Sequence, residues 1–257
     1  MGRSDSSLRP AGAVVVPLRE GLANQREAWE ARPAVRALYE QWFGLITGQL
    51  ADLEGPTIEL GAGIGAFAEF FPGAVPTDIE STPWSDEVVN AEALPYEDSS
   101  LANLVLVDTL HHLPQPRRFF AEAQRVLVPG GRVVMLEPYA STISKLAFRH
   151  GHHEDIDTGV DPLATEALSS ERPMDANNAI PTLIFWRDLD RFRRLYPGLE
   201  VIHRSRFAFL AYPLSGGFMQ RRLAPDPVIS ALLRLEPVLA PFARLAAFRC
   251  LVALERR

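Results

Sequence analysis

Apolar positions follow two different periods along the chain. Between residues 23 and 50, Trp29, Val35, Leu38, Trp42, Leu45 and Ile46 recur at spacings near three and four. This predicts two amphipathic helices, parted at Pro33, where a ring without an N–H cannot continue a helix. From residue 57 the pattern shortens. Strands are expected over 57–60, 74–79, 88–90, 102–107 and 132–137, and helices over 66–71 and 116–128, the latter ended by "PGG". The run "ANLVLV" at 102–107 is apolar throughout, as expected of a strand covered on both faces. Strands that alternate with helices predict an α/β fold with a doubly wound, mostly parallel sheet.

After Pro138 the alternation stops. Residues 139–181 read as a long polar connection, followed by a helix over 186–196 and a strand over 200–206. A second insertion, residues 208–247, precedes the closing "FRCLVALER". Its segment "DPVISALLRLEPVLAPFARLAAF" has apolar positions on more than one face, so it is either buried against the domain or covers something apolar. The expected organisation is a flexible tail over 1–22 and a single domain over 23–257. Within it, 23–50 form a helical cover and the two insertions form a substrate lid.

Composition narrows the classes of partner. A net charge of -6 provides no basic field for a phosphate backbone, so nucleic acid is not expected. The one cysteine, Cys250, rules out an intrachain disulfide framework and reads as a small buried hydrophobe. No window reaches the ~18 uninterrupted apolar residues of a membrane span, and the chain is expected to be cytoplasmic.

Candidate chemistry begins at "PTIELGAGIGAFAEFFPGAVPTDIE", residues 56–80. Gly61, Gly63 and Gly65 stand where a strand must turn abruptly into a helix, and side chains at the first two would obstruct both the turn and a ligand's approach to the backbone. Asp78 follows Gly61 by 78 - 61 = 17 residues, near the ~20 at which an acid meets a ribose diol. The loop alone fits either a dinucleotide or another ribose-bearing cofactor.

Three segments favour one of these. Glu59 precedes the loop; "NAEALPYEDSSLANLVLVDTLHHL" spans residues 90–113; and "EAQRVLVPGGRVVMLEP" spans 122–138. Together they resemble the class I S-adenosylmethionine-dependent methyltransferases, in the small-molecule branch with LPF, HHL and RVLKPGG-type motifs. The resemblance implies a seven-stranded Rossmann-like sheet with S-adenosylmethionine as cofactor and a small-molecule methyl acceptor; the apolar insertions with their interspersed arginines suggest that this acceptor is hydrophobic or lipid-linked, although core packing explains the same residues. It gives Glu59 the cofactor's ammonium, Gly61, Ala62, Gly63 and Gly65 the turn beneath its methionine part, and Asp78 the ribose. Ile79, Asn90, Ala91 and Glu92 fall to the adenine, and Asp108 with Thr109 to the methionine end. Asn90 and Asn103 depart from the family's usual aspartates, and Tyr96 and Leu101 from its phenylalanines. A nicotinamide oxidoreductase is the rival reading, opposed by the 55 or so residues before the glycine strand and by the lack of a Tyr-x-x-x-Lys pair. A cofactor-binding protein without catalysis is the other.

Acceptor-side candidates lie just past strand five. His150, His152, His153, Glu154, Asp155 and Asp157 crowd the start of the first insertion, with no spacing that suggests a metal site. They read as a solvated loop, as substrate contacts that include a base, or as a metal site, with His153 and Glu154 the favoured pair within the second reading. His111, His112 and Tyr139 are further candidates at the cleft mouth, each also explicable by packing.

Overall fold

The computed structural model describes residues 18–151, 156–168, 176–218 and 222–257. Two helices come first, α1 (Leu18–Ala31) and α2 (Pro33–Thr47), with Pro33 opening the second as its first helical residue. Of the tail expected over 1–22, residues 18–22 belong to α1 and the others lie outside the described residues. The apolar stripe explains the difference, since Leu22 continues the face that holds Trp29 and is itself buried.

The sheet elements follow as β1 (Thr57–Leu60), α3 (Ala66–Phe70), β2 (Ala74–Asp78), β3 (Glu87–Val88), β4 (Leu101–Val107), α4 (Pro116–Val126) and β5 (Leu127–Pro138). Next are α5 (Thr142–Gly151), a short α6 (Ile180–Thr182), a π-turn over Leu183–Arg187, α7 (Leu189–Leu195) and β6 (Leu199–Phe207). The second insertion holds α8 (Ala211–Ser215), α9 (Asp226–Leu235), a 3₁₀ turn over Glu236–Phe242 and α10 (Ala243–Ala246), after which β7 (Arg249–Arg256) closes the chain.

The seven strands lie in the order β3-β2-β1-β4-β5-β7-β6, parallel except for β7, which is antiparallel to both its neighbours. This is the doubly wound, mostly parallel α/β sheet expected from the alternation, with the seven Rossmann-like strands that the resemblance implies. β4 and β7 are almost wholly buried, as central strands covered on both faces must be. α1, α2 and α3 pack on one face through Trp29, Trp42, Phe43 and Phe67; α4, α7 and the π-turn pack on the other through Phe119, Phe120, Phe185 and Phe192. Truncating one of these aromatics to alanine would cost about 3–5 kcal/mol.

Local departures have local causes. β5 begins five residues before the expected start, because Leu127 pairs with Leu101 and the "PGG" segment forms a bulge inside the strand rather than a stop after the helix. Gly131 permits this: a Cβ there would stand 2.9 Å from the carbonyl oxygens of Ala102 and Val128. β3 ends at Val88, and Asn90 turns away to bridge Ala93. The helix expected over 186–196 is broken at Asp188, whose amide donates back to the Leu183 carbonyl at 2.8 Å, a five-residue step. Residues 142–151, taken as loop, form α5, and the Ser141 hydroxyl caps it by accepting from the Ser144 amide at 3.0 Å.

Candidate active site

The chain turns out of β1 through three glycines in the left-handed region, Gly61 at φ +71, Gly63 at +54 and Gly65 at +70. They are glycine for different reasons. A Cβ on Gly61 would lie 2.4 Å from Thr109 Oγ1, and one on Gly65 would lie 2.9 Å from Trp84 Cβ. At Gly63 the nearest atom would be Leu22 Cδ2 at 3.6 Å, and the position borders open cavity.

Two carboxylates flank this turn. Asp78, at the end of β2, accepts at Oδ2 from the Gly63 amide at 2.9 Å, which ties the loop to the neighbouring strand. Glu59 on β1 is buried, and its Oε2 has no hydrogen-bond partner. Burial pushes its pKa up to about 8; the Ala68 amide opposes the shift and the nearby Asp78 charge adds to it. A buried acid with an unmet acceptor, bordering a cavity, suits a cationic ligand group.

That cavity, of about 860 Å³, opens over the carboxyl ends of β1, β2, β4 and β5, where ligands of open parallel sheets sit. Every cofactor residue expected from the sequence lines it except Gly65, whose place is set by Trp84. Ile79 is 45% exposed there, an apolar side chain awaiting a cover. Asn90 Oδ1 accepts from the Glu92 amide at 2.9 Å, and Glu92 Oε1 accepts from the Gln115 amide, so both shape the wall through their own turns. The Thr109 hydroxyl faces the Leu60 and Val107 carbonyls, each at 3.1 Å, which makes it a clasp between β1 and β4. Leu22, Tyr39 and Phe43 of the N-terminal helices and Tyr212 and Phe218 of the second insertion supply an apolar roof.

Charged groups absent from the sequence expectation complete the floor. Arg249, buried at the start of β7, places Nη2 2.5 Å from Asp108 Oδ1, and the Tyr39 hydroxyl donates to Asp108 Oδ2 at 3.4 Å. Burial works against the guanidinium charge, but the Asp108 carboxylate outweighs it and holds Arg249 cationic; its plane also lies over Trp42 and Tyr212. Asp108 itself sits at φ +55, a conformation rarely adopted without strain. Beside this pair, His111 Nδ1 lies 2.7 Å from Glu137 Oε2. Glu137 Oε1 accepts from the amides of Thr109 at 3.0 Å and Leu110 at 2.7 Å. Ligand atoms of Asp108, His111 and Glu137 fall within 4.8 Å of one another, as metal donors would. The carboxylates are nevertheless already met by Arg249, Tyr39, His111 and two backbone amides, which leaves them poorly suited to a cation.

His111 and His112 both line the cavity. Tyr139 does not: it packs against Trp186 at 5.1 Å with Arg206 over its ring, in a separate cluster with Phe209 and Cys250. His152, His153, Glu154 and Asp155 lie outside the described residues. Asp157 closes its own turn on the Gly159 amide at 2.7 Å and does not border the cavity. Glu137 and Arg249 had one visible signal: each is a charged residue at the end of an otherwise apolar strand segment.

Residues 58–135, from β1 to within β5, match the family model described as a methyltransferase domain. Residues 58–135 thus carry a methyltransferase domain. The family uses S-adenosylmethionine, and the residues at the site fit it on the observation already made, the partnerless buried oxygen of Glu59 beside the glycine turn. An alignment of 107 positions, covering 38% of the chain, is 32% identical to a 37.1 kDa protein in transposon TN4556 of Streptomyces fradiae and spans 30% of that protein. Among solved structures, a SAM-dependent methyltransferase of Thermotoga maritima is similar at 14% identity and a TM-score of 0.53, over 94% of this chain and all of that one. A chain in the complex containing the Haloferax volcanii Trm112 methyltransferase activator is similar at 14% identity and a TM-score of 0.50, over 95% and 99%. At this identity the likenesses are of fold alone, and they cover nearly the whole chain.

Proposed function

We propose that the chain transfers a methyl group from S-adenosylmethionine to a small, apolar acceptor, with residues 139–181 and 208–247 as the acceptor's cover. The observation that carries this reading is the buried, partnerless Glu59 oxygen beside the glycine turn, at a cavity that the expected cofactor residues share. The bound cofactor would supply an electrophilic methyl group on a sulfonium, transferred as the acceptor's electron pair forms the new bond and sulfur leaves as a neutral thioether.

The chain's residues have the following parts. Glu59 offers a negative charge to the cofactor's ammonium, and Asp78 keeps its remaining lone pairs for the ribose while it anchors Gly63. Ile79 and Ala91 offer apolar surface to the base. The roof of Tyr39, Phe43, Tyr212 and Phe218 excludes water and favours an apolar acceptor. Where the acceptor must lose a proton, His111 is placed to take it: a proton held on Nδ1 by Glu137 makes Nε2 the accepting atom. This assigns to His111 the role that the sequence offered to His153 and Glu154.

Calorimetry with S-adenosylmethionine and with NADPH tests the reading. Binding of the first alone, followed by methyl release over a panel of small apolar acceptors, is the expected result. Binding of NADPH alone would overturn it, and S-adenosylmethionine binding without turnover on any acceptor would favour a non-catalytic role.

A further inference from the structure

Residues 235–246 of the second insertion carry two stripes, and only one of them is used by the fold. Glu236, Leu239, Ala243 and Ala246 recur at spacings of three and four and face inward; Ala243, with Leu239 and Ala246, packs on Tyr139, Phe209 and Cys250. The Glu236 carboxylate is consumed there, since one oxygen accepts from the amides of Phe209, Leu210 and Ala211 at 2.9 to 3.1 Å. One residue earlier in each step, Leu235, Val238, Phe242 and Leu245 form a second stripe, exposed by 59%, 73%, 60% and 55%. Pro237, Ala240 and Pro241 are exposed between them, and α10 packs against α5, which exposes Ile143 and Leu146. An apolar surface of this extent on a folded chain marks a place of contact.

Its charges indicate the partner. Within residues 231–246 and 142–147, the exposed charged side chains are Arg234, Arg244 and Lys145, all cationic, although the chain as a whole is acidic at -6. None of the three forms an ion pair with another described residue. A second copy presenting the same face would bring cation against cation. An anionic bilayer meets both features, since the long basic side chains reach the headgroups while leucine, valine and phenylalanine enter the acyl boundary.

We infer that the outer face of residues 234–245, with the exposed side of α5, is a docking surface for anionic lipid membranes. The surface is peripheral, because no helix among the described residues is long and apolar enough to cross a bilayer. It does not depend on methyl transfer, though α5 also contributes Ala147 to the cavity wall, which sets that wall beside the docking face.

Co-sedimentation of the full chain with vesicles tests it. The chain should bind vesicles of equal parts phosphatidylglycerol and phosphatidylcholine and leave pure phosphatidylcholine largely unbound. Arg234→Gln with Arg244→Gln should weaken partitioning about five-fold per charge removed. Val238→Asp with Phe242→Asp should abolish it at unchanged thermal stability, because both side chains stand in solvent. Absence of binding to the anionic vesicles, or equal binding by the parent and the arginine variant, would overturn the inference. A dimer in light scattering that the aspartate variant dissolves, without vesicle binding, would assign the face to a second copy instead, and capture of an acidic protein in place of vesicles would likewise refute it.

Discussion

His111 Nδ1 stands 2.7 Å from Glu137 Oε2, a contact between the first residues after β4 and the end of β5. Because Glu137 also accepts from two backbone amides, the imidazole is held in one orientation at the cavity wall. His111→Ala should leave S-adenosylmethionine affinity within about two-fold and depress turnover by roughly 10² to 10⁴ for an acceptor that loses a proton. Glu137→Gln should give a smaller loss with a changed pH profile, since an amide can present its NH₂ where an acceptor is needed. Cofactor calorimetry beside steady-state kinetics checks both, and unchanged turnover in His111→Ala would remove it from the chemistry.

Much of this molecule is legible before any coordinates. The strand-helix rhythm from Thr57 to Pro138 is carried chiefly by β1, β4 and the second half of β5, whose apolar runs are buried on both faces and leave little freedom in how they are read, whereas β3 is exposed and its bounds were less legible. The glycine turn is equally plain, since left-handed backbone at three positions leaves few other residues. Arg249 and Glu137 were hidden for a different reason. Each acquires its meaning from a partner 141 or 26 residues away, Asp108 and His111 respectively, and no local pattern encodes such a pairing. α5 was missed because its polar and small residues resemble a connector, while the cap at Ser141 and the inward Ser144 become visible only once the helix is packed.

Glu59 should make cofactor binding depend on pH. Its pKa is about 8 in the folded chain, above the ordinary 4.5, so the folded state holds a proton that the unfolded state releases. The associated stability is complete below about pH 4.5 and is lost progressively as pH rises towards 8. A cationic ligand group reverses this preference by favouring the carboxylate. S-adenosylmethionine affinity should therefore rise between pH 6 and about 8 and then level off, with proton release visible as a buffer-dependent heat. In Glu59→Gln the affinity should fall and its pH dependence flatten, while stability at pH 8 should rise. A parent whose affinity is independent of pH over this range would separate Glu59 from the cofactor.

Gly61 and Gly63 should respond differently to a side chain. A Cβ on Gly61 meets Thr109 Oγ1 at 2.4 Å, so Gly61→Ala should disturb the Thr109 clasp and lower thermal stability. A Cβ on Gly63 meets only Leu22 at 3.6 Å, so Gly63→Val should cost the fold about 1–2 kcal/mol of left-handed strain yet block the cofactor's approach. Melting curves and calorimetry on the two variants should show this contrast. If Gly63→Val binds as the parent does, the cofactor passes elsewhere.

Arg249 and Asp108 should behave as one unit. The guanidinium is almost completely buried and ion-paired at 2.5 Å, while Asp108 is bent into φ +55 at the end of β4. Removing the buried guanidinium leaves Asp108, 30% exposed at the cavity, without its charged partner, so Arg249→Met should cost about 1–3 kcal/mol in urea unfolding. Arg249→Lys should recover only part of this, because an ammonium cannot both reach Asp108 and stack between Trp42 and Tyr212. Arg249→Met combined with Asp108→Asn should be more stable than Arg249→Met alone, because the second change removes the stranded carboxylate. The coupling energy from that double-mutant cycle is the quantity to measure. A value near zero would mean that cavity water already screens the pair and that Arg249 is held by its aromatic neighbours alone.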